Sequence, residues 1–348
     1  MTLGTGSDPP RGPARVAIIG AGNIAAAHAH GYRLAGAEIA ALCDIDPELV
    51  ARRRDEWHAG AAFTDPRALL EVADITAVSI CTPNAAHAEL TIAAARAGKH
   101  VLCEKPISLD LDAAQAMIDA CADAGVLLQI GHHMRSWSAA TTAHALIDAG
   151  VIGEVTHARF RQAHDWSGAT RVRGVFGSKE HSGGGTLLDN GCHLFDLARF
   201  LCGDVSDVFA RIATRKFDVE VEDTAVTSLG FTSGAMGEVE VAWTATGWQE
   251  AFWVWGTQGA LECDHLAGTG DLIRRYRSDA NTSWAAVDVE NYEAKGPGAH
   301  AQHVANFLAA IDGRGPVVCT GEDGREAVRL VLAAYESARC RAPVSLHA

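Results

Sequence analysis

Nothing in this 348-residue chain approaches the roughly 18 consecutive apolar residues that a membrane-crossing helix requires. Residues 1–14 are rich in Gly and Pro and lack an apolar core, so they read as a disordered tail and not as a targeting peptide. No Cys-x-x-Cys pair occurs. The nine cysteines are odd in number and irregularly spaced, and Cys43, Cys81 and Cys103 fall inside apolar runs. They read as small core residues of a protein kept in a reducing cytoplasm. Positive charge is scarce: 29 Lys and Arg face 43 Asp and Glu, a net charge of −14. That balance excludes nucleic acid and anionic membrane surfaces as partners. It serves solubility, or favours a cationic substrate such as an amino sugar. The histidine pairs His28/His30 and His132/His133 have no accompanying Cys or carboxylate set, so no metal is expected. Internal repeats are absent.

What is present is enough apolar material, 48% of residues, for two cores. The first 130 residues alternate short apolar runs (16–19, 39–43, 75–81, 100–103, 126–130) with Ala-rich stretches of helical spacing (23–34, 47–57, 85–97, 111–124). This alternation predicts βαβ units and a parallel sheet covered on both faces. After about Met134 the texture changes. A helix over 141–149 gives way to strand-like stretches at 154–163, 205–215, 223–231, 236–244, 251–255, 259–263 and 272–277. Many alternate apolar and polar residues, as in Gly237-Glu238-Val239-Glu240-Val241, which predicts an antiparallel sheet with one solvated face. Helices are expected over 185–201, 299–312 and 322–340. The domain reading is a tail over 1–14, a nucleotide-binding domain over 15–133 and a substrate and oligomerisation domain over 134–348. Many strands with few helices to cover them leave a sheet face for a second copy, so a dimer or tetramer is expected.

Gly20-Ala21-Gly22-Asn23-Ile24-Ala25 follows the first apolar run and opens a helix. Gly20 and Gly22 would let backbone N–H groups of the turn, with Asn23 and Ile24, approach a pyrophosphate. Asp44 ends the second run, 24 residues after Gly20, where an acid accepts from a ribose 2′-hydroxyl and repels a 2′-phosphate. NAD is thereby favoured over NADP, with Arg52, Arg53 and Arg54 as the argument for NADP and a turn-capping role as the plain reading of Asp44. Thr82, Pro83 and Asn84 close the run over 75–81 at a strand C-terminus, where they face a cofactor's ribose or nicotinamide; His87 follows, as a ligand or as a packing residue.

Val101-Leu102-Cys103-Glu104-Lys105-Pro106 puts a lysine at the mouth of a buried strand, where charge is costly unless used. Gly183-Gly184-Gly185 leads to Asp189 and His193, four residues apart and on one helical face. Oxidising a secondary alcohol removes a hydride from carbon and a proton from oxygen. His193 suits the base, with a reference pKa of roughly 6.5. Lys105 offers charge where alkoxide develops, and Asp189 holds a neighbouring hydroxyl or biases the histidine. The plain alternatives are a Lys105–Glu104 ion pair, a helix-start acid and a structural histidine. Arg135, His164, Asp165 and Trp166 are candidates to line a sugar pocket.

These elements, with Gly98 to Pro106, Cys81-Thr82-Pro83-Asn84 and Gly321-Glu322-Asp323-Gly324-Arg325, resemble the glucose–fructose oxidoreductase, inositol dehydrogenase and rhizopine catabolism (Gfo/Idh/MocA) family over residues 15–346. The resemblance implies an α/β chain: an N-terminal Rossmann domain with a doubly wound parallel sheet, and a C-terminal α/β domain with a large, open, mostly antiparallel sheet. It implies NAD(P)-dependent oxidation of a sugar, cyclitol or glycoside hydroxyl. Lys105, Asp189 and His193 then form the reacting set, and Glu104 and Lys105 lie against the cofactor. Some members hydrolyse glycosides with retained NAD, and some bind NAD as regulators. Where the family often has an Arg-Phe-x-Pro-like stretch, this chain has His132-His133-Met134-Arg135-Ser136-Trp137-Ser138, so the substrate does not carry over from any one member.

Overall fold

A computed structural model describes residues 14–72, 74–166, 174–266, 273–277, 284–287 and 298–346. The expected tail lies outside them, apart from Ala14. In the first half, strands β1 (Arg15–Ile19), β2 (Glu38–Cys43), β3 (Ala61–Phe63), β4 (Ala77–Ile80), β5 (His100–Cys103) and β6 (Leu128–Ile130) alternate with helices. Those helices are α1 (Asn23–Leu34), α2 (Pro47–Trp57), α3 (Pro66–Leu70), α4 (His87–Arg96) and α5 (Leu111–Asp123). The six strands are parallel in the order β3-β2-β1-β4-β5-β6. The order reverses between β1 and β4, which opens the ligand crevice beyond their C-terminal ends. Strands such as Ala77–Ile80 are buried at every residue, which explains their unbroken apolar runs.

A 3-10 turn (His133–Ser136) and helix α6 (Ser138–Asp148) lead into β7 (Val155–Asp165). The short helix α7 (Lys179–Ser182), a π-turn (Leu187–Gly191) and helix α8 (Cys192–Cys202) follow. Next come β8 (Val205–Ala213), β9 (Thr224–Phe231), β10 (Met236–Ala242), β11 (Thr244–Gly256), β12 (Gly259–Leu266), β13 (Ile273–Arg277) and β14 (Trp284–Val287). Helices α9 (Gly298–Ile311) and α10 (Gly321–Cys340) precede a short β15 (Val344–Ser345). The second sheet has nine strands in the order β14-β13-β12-β11-β7-β10-β9-β8-β15, antiparallel except where β10 runs beside β7. One face carries Ala158, Phe160, Val239, Val241, Phe252 and Val254 into a core shared with α8 and α10. The opposite face is not bare apolar surface. Arg159 pairs with Glu238 and Glu240, Arg161 pairs with Glu240, and His157 stacks on Trp255 at 4.3 Å.

The end of the chain returns to the first sheet. Val304, Phe307 and Leu308 of α9 join the core formed with Val16, Ile18 and Tyr32. Gly31 of α1 lets the two helices pack closely there, since a Cβ would stand 3.0 Å from the Ala301 Cα.

Candidate active site

Gly20 closes the turn after β1. Its φ is +93°, and an added Cβ would meet the Cys81 carbonyl oxygen at 2.4 Å, so only glycine fits between β1 and β4. Gly22 has nothing within 4 Å of where its Cβ would be, and α1 begins there with no side-chain cap. Amides at the start of α1, at Asn23 and Ile24, thus lie at a helix N-terminus open to an anion. The Asp44 carboxylate lies beside this loop, accepting from Ala21 N at 2.7 Å and Asp46 N at 3.0 Å. The Thr82 hydroxyl, at the other lip, is buried with no partner among the described residues. A dinucleotide fits this set: an open approach for its phosphates, an acid for its ribose and an orphaned hydroxyl at the crevice lip. Asn84 turns to the other half of the chain and donates to the Ser182 carbonyl at 2.9 Å, tying the Pro83–Asn84 lip to α7. His87 turns inward. Its two ring nitrogens sit 2.8 Å and 3.0 Å from the Pro106 and Thr82 carbonyls, so it braces the crevice loops and offers no nitrogen to a cofactor.

Glu104 is also committed within the protein. It is bonded to His28 Nε2 at 2.8 Å and accepts from Lys105 N at 3.2 Å, while His28 Nδ1 meets Ser79, itself bonded to Tyr32. Burial would raise its pKa, but His28 and the Lys105 charge pull it down to about 2. The plain Lys105–Glu104 side-chain pair does not form. Lys105 instead sends its ammonium across to the second half, 2.8 Å from Asp189 Oδ1 and 3.0 Å from Asp189 O. Burial opposes its charge, but Asp189 prevails and holds its pKa above the ordinary lysine value.

Asp189 lies in the π-turn and His193 in α8, so the expected single helix is two kinds of turn joined end to end. Such turns recur at functional sites. His193 is buried, with Nδ1 unpartnered among the described residues, and its pKa is well below 6.5. Burial is the main cause, followed by the Lys105 charge and by three further histidines. His132 and His133 stand edge-on to it at 5.3 and 4.8 Å, and His133 stacks on His300 at 3.6 Å. The sequence reading places His132 and His133 outside any metal site and at the start of the stretch that departs from the family pattern, and does not reach His300. The one signal available was a histidine doublet just beyond a strand C-terminus. No metal-binding group of three or more His, Cys, Asp or Glu is found among the described residues.

Of the four proposed pocket residues, Trp166 touches this environment with its ring 5.1 Å from that of His164, and His164 lies within it. Both its nitrogens are buried without partners among the described residues, and it stacks on Trp248 at 4.4 Å. Burial and the Lys105 charge push its pKa down to about 4, against the pull of Asp189. Arg135 is spent elsewhere: it grips Asp196 with two bonds of 2.8 and 2.7 Å and Asp323 at 3.1 Å. Asp165 accepts from Lys216 at 2.8 Å. Trp166 lies flat against Trp243, 5.1 Å away, in a small separate core with Phe176.

Comparison with known proteins places two family models on the chain. "Oxidoreductase family, NAD-binding Rossmann fold" matches residues 14–132, and "GFO/IDH/MocA C-terminal domain" matches 140–262. The chain is 28% identical to the myo-inositol 2-dehydrogenase of Thermotoga maritima, over 95% of this chain and 98% of that protein. It is 32% identical to the 1,5-anhydro-D-fructose reductase of Ensifer adhaerens, over 93% and 96%. Among solved structures, levoglucosan dehydrogenase in complex with NADH superposes with a TM-score of 0.90 at 26% identity, covering 97% of this chain and all of that one.

Proposed function

The chain belongs to the Gfo/Idh/MocA family of NAD-binding oxidoreductases, and from that membership we propose that it oxidises a secondary hydroxyl of a sugar, cyclitol or glycoside to a ketone. The observation that carries this reading is the Lys105 ammonium, partly buried beside the cofactor crevice and held 2.8 Å from Asp189, with His193 on the next turn. NAD, when bound in the crevice between β1 and β4, supplies the hydride acceptor. Lys105 donates to the hydroxyl oxygen and stabilises the charge that grows there. Asp189 keeps that lysine protonated and aimed. The neutral imidazole of His193 takes the hydroxyl proton. His164 presents unpaired nitrogens to other substrate hydroxyls.

The names of the relatives support a polyol ring: inositol in one, an anhydrosugar in another, a glucoside in a third. An amino sugar is the finer reading, supported by the net charge of −14. A screen following NADH absorbance over cyclitols, free sugars, glycosides, nucleotide sugars and aminoglycosides tests it. Turnover with at least one ring polyol is expected. Aglycone release without net NADH would instead indicate a glycosidase, and NAD binding without any turnover a regulator. Lys105→Ala should abolish most turnover while NAD titration stays near wild type; parallel loss of both would make the lysine a cofactor residue.

A further inference from the structure

The segment bearing Asp189 and His193 starts at three glycines, and the structure shows what presses on them. Glu222, in the connection between β8 and β9, is buried against this start. Its carboxylate accepts from Gly185 N at 3.1 Å and from Leu187 N at 2.8 Å. Tyr335 of α10 donates its hydroxyl to the same carboxylate at 3.0 Å. The Glu222 carbonyl accepts from Thr186 N at 3.0 Å. A Cβ on Gly185 would overlap that carbonyl oxygen at 1.9 Å, and one on Gly184 would meet the Tyr335 hydroxyl at 2.2 Å. The glycines are therefore needed so that Glu222 and Tyr335 can close on the backbone. Glu222 itself is held rigidly by its neighbour. The Asp223 carboxylate accepts from Arg215 N, Lys216 N and Phe217 N at 2.7–3.1 Å, folding the connection back on itself.

The bonds form a continuous chain. Gly185 gives its N–H to Glu222 and its carbonyl to Asp189 N at 2.9 Å, and Asp189 receives Lys105. We propose that Glu222, braced by Tyr335, is a positioning residue that sets where Asp189 meets Lys105, and through it the catalytic geometry. A carboxylate at the start of a helical segment also opposes the positive end of its dipole, so the clamp is electrostatically matched. This rests on the reading that Lys105, Asp189 and His193 carry the reaction.

The test uses full-length Glu222→Ala, Glu222→Gln and Tyr335→Phe proteins. The chain has five lysines, so nitrogen-15 labelling gives a sparse side-chain ammonium spectrum in which Lys105 is assigned by Lys105→Ala. The Lys105 signal, protected by its bond to Asp189, should be kept in wild type and Glu222→Gln, weakened in Tyr335→Phe and lost in Glu222→Ala. In Glu222→Ala, kcat should fall about 10²-fold, the scale of a misplaced reacting group, with NAD affinity unchanged. Glu222→Gln should restore most of that loss, because its amide oxygen still accepts. An unchanged Lys105 signal in Glu222→Ala overturns the proposal, as does a Gln variant as impaired as Ala. Should Glu222→Ala fail to fold, the Tyr335→Phe signal decides alone. A lost Lys105 signal with normal kcat would uphold the clamp and overturn the catalytic reading of Lys105 instead.

Discussion

The base role proposed for His193 has no charged partner to steady it. Its neighbours are a lysine ammonium and neutral rings, so the imidazolium is disfavoured and the neutral form persists well below the ordinary pKa. Only neutral imidazole accepts a proton, so kcat/KM for oxidation should rise with pH through a value below about 6.5 and be level above it. His193→Ala should lose that limb and about 10²–10⁴-fold in rate. A pH–rate profile in which the limb survives the substitution would move the base to another group. Lys105 cannot supply the limb, because Asp189 keeps it protonated beyond the ordinary lysine range. At the other end of the crevice, Asp44 points two oxygens at amides of the glycine turn and of its own turn. In the role proposed for Asp44, that negative charge meets the ribose and repels a 2′-phosphate. NAD should therefore be preferred over NADP, and Asp44→Ala should narrow the ratio of the two kcat/KM values. An unaltered ratio would count against Asp44 as the discriminator.

Among the elements, the end of β5 is the most heavily invested. Glu104, His28, Ser79 and Tyr32 link β5, α1 and β4 through buried bonds of 2.7–2.9 Å. Lys105 follows directly, so the pair fixes the root of the lysine proposed to act on the substrate. Glu104 has a folded pKa of about 2 against an ordinary 4.5. Its contribution to stability is thus complete above pH 4.5 and is lost as pH falls toward 2. Glu104→Gln should flatten the loss of melting temperature across that acid window, as read by calorimetry. His28→Ala strands a buried carboxylate and should cost about 3–5 kcal/mol at neutral pH. A cost near zero would show that the pair is solvated in solution.

At the scale of the whole molecule, the two sheets are joined by polar pins as well as by packing. Arg135, just beyond β6, holds Asp196 of α8 and Asp323 of α10, with Phe200 under its guanidinium at 5.3 Å. Through Asp196 the pin reaches α8, the helix that carries His193. Arg135→Ala should destabilise the protein by about 3–5 kcal/mol in chemical denaturation. Arg135→Lys should restore little, because an ammonium cannot reproduce the two-pronged grip. The affinity for NAD should stay constant in both, since the glycine loop and Asp44 belong to other elements. Full recovery by lysine would reduce the pin to simple charge pairing.

The sequence by itself determined the parallel sheet, the glycine turn, Asp44, the Glu-Lys-Pro strand end and the Asp189/His193 spacing. Each is a local matter: apolar run length, a glycine at a strand end, a charge placed after a buried strand. The mostly antiparallel second sheet was legible for the same reason, in the alternation of strands such as β10. Only the tertiary structure decided which charges were already spent. Arg135, Asp165 and Glu104 looked available, and His87 stayed open between ligand and packing residue, because a sequence does not show the partner that will neutralise or brace them. Their partners Asp196, Lys216, His28 and Pro106 lie from 19 to 76 residues away. The histidines around His193 and the Glu222 clamp were hidden for the same physical reason. Both are assembled from separate elements meeting at the crevice, and no local pattern encodes a contact that only folding creates.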